Sequence, residues 1–160
     1  MKRHLLTIAM CFFTTTFVNA QTAAKSVFAE IGGPGLASIN YDTRFTKQNG
    51  GIGGRIGIGG FSIDGSSLFT IPVALNYLLS KDNRNFFEIG AGFTYLHYSE
   101  KDYGYYSDDN TFNTSFGHLN LGYRLQPANG GFQFRAAITP IFNSEGFVPY
   151  YASLSFGYKF

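Results

Sequence analysis

The segment 148–160 alternates between apolar side chains and polar or small ones over its whole length. The apolar set is Val148, Tyr150, Ala152, Leu154, Phe156, Tyr158 and Phe160. Because successive side chains of a β-strand point to opposite faces, this period of two predicts a strand with one apolar face. Strands of this kind must cover the apolar face with something other than water, and that requirement limits the possible folds more than any other feature of the chain.

The same alternation recurs along the rest of the chain, separated by turn-forming residues. It covers the segments 27–45, 51–61, 69–80, 86–98, 115–126 and 131–142. The first of these is too long for one membrane crossing of about 9–11 residues, and Gly32-Gly33-Pro34-Gly35 interrupts it. Two strands are the preferred interpretation, with one bent strand as the alternative. Two strands here make eight in all, an even number.

The polar faces of these strands carry most of the charged residues. They hold Glu30, Asp42, Arg44, Arg55, Glu88, Arg124, Arg135 and Lys159. Unpaired buried charges are very costly, so this set cannot line an apolar pocket, but it can form a paired network inside a lumen. A closed barrel leaves no unpaired strand edge and can therefore turn its apolar face to lipid. The sequence thus predicts an all-β protein, an eight-stranded antiparallel up-and-down transmembrane β-barrel. The alternative is a secreted, lipocalin-like barrel that binds a small ligand.

The order of turns and aromatic residues indicates how the barrel is oriented. Compact turns at 46–50, 81–85 and 127–130 fall at one end, and a long acidic, aromatic loop at 99–114 falls at the other. Outer-membrane barrels have short periplasmic turns and longer outer loops. A ring of aromatic side chains is predicted near the short-turn end: Tyr41, Tyr77, Phe87, Tyr123, Phe132 and Tyr158.

The first residues have the order of a secretory signal peptide. Lys2 and Arg3 precede an apolar stretch, which ends at Val18-Asn19-Ala20. We therefore expect a signal peptide at 1–20 and a barrel domain at 21–160. Cys11 lies in the segment to be removed; lipidation at Cys11 is the alternative, which the bulky Met10 disfavours. Lys2 and Arg3 carry the entire net charge of +2, so the domain offers no electrostatic basis for binding nucleic acid.

The last strand ends in Tyr158-Lys159-Phe160, and Phe87-Glu88-Ile89-Gly90-Ala91-Gly92 has the pattern of a barrel strand. With these features the mature chain resembles the small outer-membrane barrels of the OmpA, OmpX and OmpW kind, including porin-like barrel proteins. The resemblance implies location in the Gram-negative outer membrane, contact with outer-membrane lipids, and assembly by the barrel assembly machinery. It implies that Tyr158 and Phe160 form the C-terminal assembly signal. It does not imply a single activity.

The sharpest site prediction is a charge network in the lumen. We expect Glu30 and Glu88 to pair with Arg55, Arg124 or Arg135 and to close the lumen; loose, hydrated charges in a narrow pore are the alternative. Loop 99–114 is either a contact for an extracellular partner or a solvated, mobile loop.

No catalytic, cofactor or metal site is predicted. His97 and His118 lack ligand spacing, and a Gly-x-Ser-x-Gly motif is absent from the sequence. The expected function is a structural, narrow-channel or adhesion role without catalysis.

Overall fold

The computed structural model describes residues 23–63, 65–100 and 110–160, so the predicted signal peptide at 1–20 lies outside the described residues. These ranges form β1 (Lys25–Gly32), β2 (Ala37–Arg44), β3 (Gly51–Ile63), β4 (Ser66–Leu79), β5 (Asn85–Glu100), β6 (Asn110–Leu125), β7 (Gly131–Ile138), β8 (Ile141–Phe142), β9 (Phe147–Val148) and β10 (Ala152–Lys159). One short 3-10 turn, Gly33–Gly35, lies between β1 and β2, and we call it the inner turn. Among the described residues, no helix is both long and apolar enough to cross a membrane.

Antiparallel pairing joins neighbouring strands into a closed barrel. Hydrogen-bonded neighbours run β5-β4-β3-β2-β1-β10-β7-β6, and a β5–β6 pairing closes the ring. The two-residue segment β8 continues β7 in the same register along β6, and β9 pairs with β8 just before β10 begins. When β7 and β8 are counted as one strand, and β9 and β10 as another, the ten segments make an eight-stranded up-and-down barrel. This confirms the predicted fold class. The segment 27–45 forms two strands, β1 and β2, on either side of the inner turn.

The alternation of the sequence becomes a division between the lumen and the outer wall. Glu30 is 2% exposed, whereas the next residue, Ile31, is 73% exposed. Arg124 and Arg135 are buried, while Leu121 and Phe156 face outward. Since most side chains that point to the axis are polar or charged and most large apolar ones point away, the barrel is inverted relative to a water-soluble one.

The short-turn end of the barrel also holds the last strand. The Lys159 Nζ donates hydrogen bonds to Asn49 Oδ1 at 2.6 Å and to the carbonyl oxygens of Pro127 at 3.0 Å and Ala128 at 2.5 Å. Gln126 Nε2 also donates to the Asn49 carbonyl oxygen, at 3.0 Å. These bonds tie together two of the three compact turns. The six aromatic residues predicted to ring this end are all exposed on the outer wall: Tyr41, Tyr77, Phe87, Tyr123, Phe132 and Tyr158.

The third compact turn is organised by Asp82. Its carboxylate accepts hydrogen bonds from the backbone N–H of Asn85 at 2.8 Å and of Arg84 at 3.0 Å, and from Asn85 Nδ2 at 2.6 Å. These donors favour the ionised form and hold the pKa of Asp82 below its usual value. The carboxylate thus supplies hydrogen-bond acceptors for a backbone that turns through Asn83, which has a positive φ of 54°.

At the opposite end, four strands continue beyond the closed barrel. The β2–β3 pairing reaches only Gly59, and the β6–β8 pairing reaches only Gly117. Past those residues, β3 to β6 form a projecting four-stranded sheet made of 60–63, 66–69, 96–100 and 110–116, which we call the extension.

The extension corrects the predicted bounds of the long loop. Ser99 pairs with Thr111 and Glu100 pairs with Asn110, so 99–100 and 110–114 are strand, and the prediction of a loop over the whole of 99–114 was wrong. The remaining residues of that loop, 101–109, lie outside the described residues. The physical reason for the error is that the outward face, which is apolar along the closed barrel, becomes mainly polar in the extension. There the outward face carries Ser62, Ser67, Ser99 and Thr111. These polar residues interrupt the alternation, with apolar residues outward, by which the strands of the closed barrel were predicted.

Candidate functional site

Glu30 and Arg55 form a doubly hydrogen-bonded ion pair inside the barrel. Arg55 Nη1 donates to Glu30 Oε2 at 3.1 Å, and Nη2 donates to Oε1 at 2.5 Å. Ser155 Oγ donates to Glu30 Oε2 at 3.0 Å, and Arg55 Nε donates to Asn40 Oδ1 at 3.1 Å. This parallel geometry is the strongest arrangement of a guanidinium and a carboxylate. It links the four neighbouring strands β3, β2, β1 and β10 on the lumen side of the wall.

Glu88 is the centre of a second cluster. Arg135 Nη2 donates to Glu88 Oε1, and so does Asn120 Nδ2 at 3.0 Å. Arg124 Nη1 lies 3.6 Å from Glu88 Oε2. Neither of these last two atoms has a hydrogen-bond partner among the described residues, so their attraction is Coulombic. All five residues that the sequence predicted as a lumen network, Glu30, Arg55, Glu88, Arg124 and Arg135, are buried in the lumen and lie in ion pairs.

Asp42 and Arg44 form a third cluster; both were predicted among the polar-face charges of the lumen, although not among the five residues named for the network. Arg44 Nη2 donates to Asp42 Oδ1 at 2.7 Å, and Arg124 Nη2 donates to the same oxygen at 2.9 Å. Asn76 Nδ2 donates to Asp42 Oδ2 at 2.6 Å. Arg124 therefore lies between two carboxylates, Asp42 on β2 and Glu88 on β5. Both residues lie on the polar face of β2, the position that the sequence had already predicted for them.

Phe28 is an aromatic residue in the middle of these charges. Its side chain is 1% exposed, and its ring centroid lies 5.4 Å from the Arg55 Cζ and 4.3 Å from the Arg135 Cζ. A cation over an aromatic face is attracted by the ring quadrupole, more strongly where water is excluded. Phe28 also falls on the polar face of β1, between Ser26 and Glu30. Its even-numbered position in the alternation, shared with Ser26 and Glu30, would have identified it as a lumen residue from the sequence.

Further groups close the lumen on both sides of the charge clusters. Toward the extension, the inner turn Gly33–Gly35 is buried, and Thr70 Oγ1 donates a hydrogen bond to the Gly35 carbonyl oxygen at 3.0 Å. Toward the short turns, Leu78 and Phe86 are 2% and 1% exposed on the lumen side. The lumen is therefore filled by a charged middle layer between a backbone turn and an apolar layer.

The remaining predicted residues lie apart from the clusters. His118 is buried, with its Nδ1 3.4 Å from Thr94 Oγ1, and His97 lies in the extension with its Nδ1 2.7 Å from Asn113 Oδ1. Within the described ranges, the His, Cys, Asp and Glu side chains form no group of three or more that could hold a metal ion. Tyr158 and Phe160 point outward at the end of the last strand, each 60% exposed.

Comparisons with known proteins concern the fold. No protein-family model matches the sequence, and no curated protein matches it. The structure is similar to the crystal structure of the N-terminal β-barrel domain of Pseudomonas aeruginosa OprF, with a TM-score of 0.60 and 11% identity over 86% of this chain and 96% of that chain. It is also similar to the crystal structure of Yersinia pestis Ail, the attachment invasion locus protein, with a TM-score of 0.54 and 12% identity over 86% of this chain and 97% of that chain. A backbone structure of the Yersinia pestis outer membrane protein Ail in a phospholipid bilayer nanodisc is similar as well. Its TM-score is 0.50, with 13% identity over 86% of this chain and 98% of that chain.

These similarities define a class of fold. The chain has the closed eight-stranded barrel that these outer-membrane proteins share, as its resemblance to small outer-membrane barrels led us to expect. At 11–13% identity the likeness concerns the fold alone.

Substitution of Glu88 by Gln should destabilise the barrel by about 3–5 kcal/mol, because Arg124 and Arg135 would then be buried beside a neutral group. The free energy of unfolding in urea, measured on protein refolded in detergent micelles, checks this. Glu145→Gln is the matched control: Glu145 is exposed, so a change within about 0.5 kcal/mol is expected. Equal stability of the two variants would show that the Glu88 cluster is dispensable.

Proposed function

We propose that the protein is an integral β-barrel of the Gram-negative outer membrane, with a closed lumen and a structural or adhesive role without catalysis. The chain would be exported with the signal peptide 1–20 and inserted with its short turns in the periplasm. The extension would then project from the cell surface.

The observation that carries this proposal is an apolar band around the outer wall with a boundary at each end. At the short-turn end the boundary is the ring of exposed aromatic residues, in which Phe87 lies on β5. At the other end, outward apolar residues on β5 continue to Tyr95, and the next outward residues are His97 and Ser99. From Phe87 to Tyr95 a tilted strand rises by about 20 Å, near the height of about 25 Å that is typical of outer-membrane barrels.

The filled lumen favours a structural or adhesive role over transport. A narrow channel needs a continuous water path, whereas the axis here holds ion pairs, Phe28 and the inner turn. A lipocalin-like carrier needs an apolar cavity inside the barrel, whereas most of the side chains that point inward here are charged or polar. An adhesive role is supported by the extension, which projects beyond the apolar band. The name of Ail as an attachment invasion locus protein is in keeping with such a role, although the likeness to Ail concerns the fold alone.

Substitution of Leu75 by Arg places a charge on the outward face near the middle of the apolar band. In a bilayer this should make folding less favourable by about 2–4 kcal/mol. By contrast, Ser62→Arg, on the outward face of the extension, should make folding less favourable by at most about 1 kcal/mol. Equilibrium folding into phospholipid vesicles checks both values. Equal costs for the two variants would contradict the proposed depth of Leu75, and detergent-free solubility of the wild-type barrel would contradict the proposed membrane location.

The wild-type barrel in a planar bilayer should show no steady, ion-selective openings, because the charged layer and the inner turn block its axis. Single-channel recording checks this, with insertion confirmed by heat-modifiable migration of the same preparation in detergent gels. Sustained conductance by correctly folded protein would favour the narrow-channel alternative.

Substitution of Phe160 by Ser tests the C-terminal assembly signal. The side chain is exposed, and its strand is held by backbone hydrogen bonds between Phe160 and Lys25, so refolding into micelles should change little. Assembly in cells should fall, as measured by the fraction of heat-modifiable protein in the outer membrane. Normal assembly of the variant would show that Phe160 is not part of the assembly signal. The control is Asn129→Ser, in a compact turn that the proposal puts in the periplasm.

A further inference from the structure

The exposed charges at the short-turn end of the barrel are mainly basic. Lys47 lies in the turn after β2, and Lys81 and Arg84 lie in the turn after β4. Lys25, half-buried on the outward face of β1, adds a fourth basic side chain near the same rim. Within the described ranges, none of these four side chains belongs to an ion pair. The only exposed acidic side chain described at this end, Asp82, is engaged by the donors of its own turn.

The basic residues lie on one side of the rim, along the neighbouring strands β1 to β5. The turn on the other side, between β6 and β7, is Pro127-Ala128-Asn129-Gly130 and carries no charge. At the opposite end of the barrel, the exposed charged side chains among the described residues are Glu100 and Glu145, both acidic. An arc of positive charge attracts anions within a Debye length, about 8–10 Å at physiological salt, so its partner must come close to this rim.

A cleft of about 610 Å³ opens between the two basic turns. This volume is in the range of about 300–1,000 Å³ that is usual for small-ligand sites. Lys47 brings a positive charge to the cleft, and a second ammonium group lies behind its wall, because Lys159 Nζ donates to Asn49 Oδ1 at 2.6 Å. An ammonium group surrounded by amide and hydroxyl donors is a set that binds phosphate oxygens. The polar side chains that line the cleft are Lys47, Gln48, Asn49, Ser80 and Asn83.

A second, largely apolar cleft of about 520 Å³ adjoins the polar one on the outer wall. Leu79 and Ser80 line both clefts, and the second continues past them to Phe87. Leu79 pairs with Phe87 across β4 and β5, and the two side chains are 46% and 51% exposed. Lys81 also lines this second cleft. A positively charged polar cleft that continues into an apolar one fits a molecule with an anionic head and an apolar chain.

We propose that these two clefts hold an anionic phospholipid of the periplasmic leaflet. Its phosphate group lies in the polar cleft beside Lys47, and one acyl chain follows Leu79 and Phe87 along the outer wall. Lys81 and Arg84 add to the positive field around the headgroup, so the site prefers a lipid with net negative charge to a zwitterionic one, whose cationic group they repel. The inference rests on the proposed function, which puts the short turns at the periplasmic surface of the membrane.

The test uses NMR spectra of the whole, isotope-labelled barrel in nanodiscs of phosphatidylcholine that contain increasing fractions of phosphatidylglycerol. Saturable shifts of the backbone amides are expected in the segments 46–51 and 79–85, which form the two clefts. The uncharged turn 127–130 lies at the same membrane surface and is the internal control, with little change expected. Unsaturable shifts of equal size in all three turns would overturn the inference, because they would report only a general change in surface charge.

Variants of the basic turns locate the site. Lys47→Gln should raise the mole fraction of phosphatidylglycerol at half-saturation about two- to fivefold, and saturation should be lost when Lys81→Gln and Arg84→Gln are added. The matched control keeps the charges, with Lys47→Arg, Lys81→Arg and Arg84→Lys, and should bind as the wild type does. Glu145→Gln, which changes the charge at the opposite end, should also leave binding unchanged. Wild-type saturation by the triple Gln variant would overturn the inference.

Soluble glycerol phosphate distinguishes a lipid site from a site for a free anion. Added at millimolar concentration and constant ionic strength to the barrel in phosphatidylcholine nanodiscs, it should not reproduce the shifts, because it lacks the chain that contacts Leu79 and Phe87. Shifts equal to those from phosphatidylglycerol would overturn the assignment of a lipid. Heat-modifiable migration of each preparation separates the two levels, since failure to insert contradicts the proposed function, and failure of an inserted barrel to bind contradicts this inference alone.

Discussion

Pairing between the first and last strands is the interaction on which the rest of the structure depends. β1 pairs with β10 from Ser26 opposite Lys159 to Gly32 opposite Ser153, and this pairing removes the two edges that an open sheet of the same strands would have. With backbone groups paired around the ring, the outer wall can be apolar without exposing polar backbone to lipid. Charged residues on the strands within this apolar band then have only the lumen in which to lie. Where the ring stops being closed, at Gly59 and Gly117, the outer wall becomes mainly polar, and among the described residues β3 and β6 each keep one paired neighbour.

The lumen shows how many charges fit inside a narrow barrel. Three carboxylates, Glu30, Asp42 and Glu88, share the space with four arginines, Arg44, Arg55, Arg124 and Arg135. Burial of ion pairs adds little net stability, because removal of water from the charges offsets most of their attraction. Loss of one partner is costly, however, so the clusters act mainly to favour the single arrangement in which every charge has a partner. Arg124 joins carboxylates from β2 and β5.

The reversal of polarity along β3 to β6 connects the fold to its surroundings. Below Gly59, outward apolar residues face the proposed lipid and inward polar residues face the lumen. Above it, the outward face is polar except at Phe69, and the inward face carries most of the apolar side chains. The β3–β4 and β5–β6 hairpins therefore contribute both to the barrel wall that faces the proposed lipid and to the sheet that projects beyond it. The band has a sharp limit because outward side chains must match the medium that contacts them.

The sequence by itself determined which side chains face the lumen, the number of strands and the positions of the compact turns. Alternation with a period of two is a local property of each strand, so residues such as Leu121 and Arg124 can be assigned to opposite faces without knowledge of their neighbours. The tertiary structure alone decided which charges meet. Arg124 is far in sequence from both Asp42 and Glu88, and its pairing with them depends on the register and closure of all the strands. It also decided that the inner turn folds into the lumen, and that β5 and β6 continue to Glu100 and Asn110. The local pattern could not show those last residues as strand, because polarity there follows the surroundings of the sheet, and those surroundings exist only once the barrel is assembled.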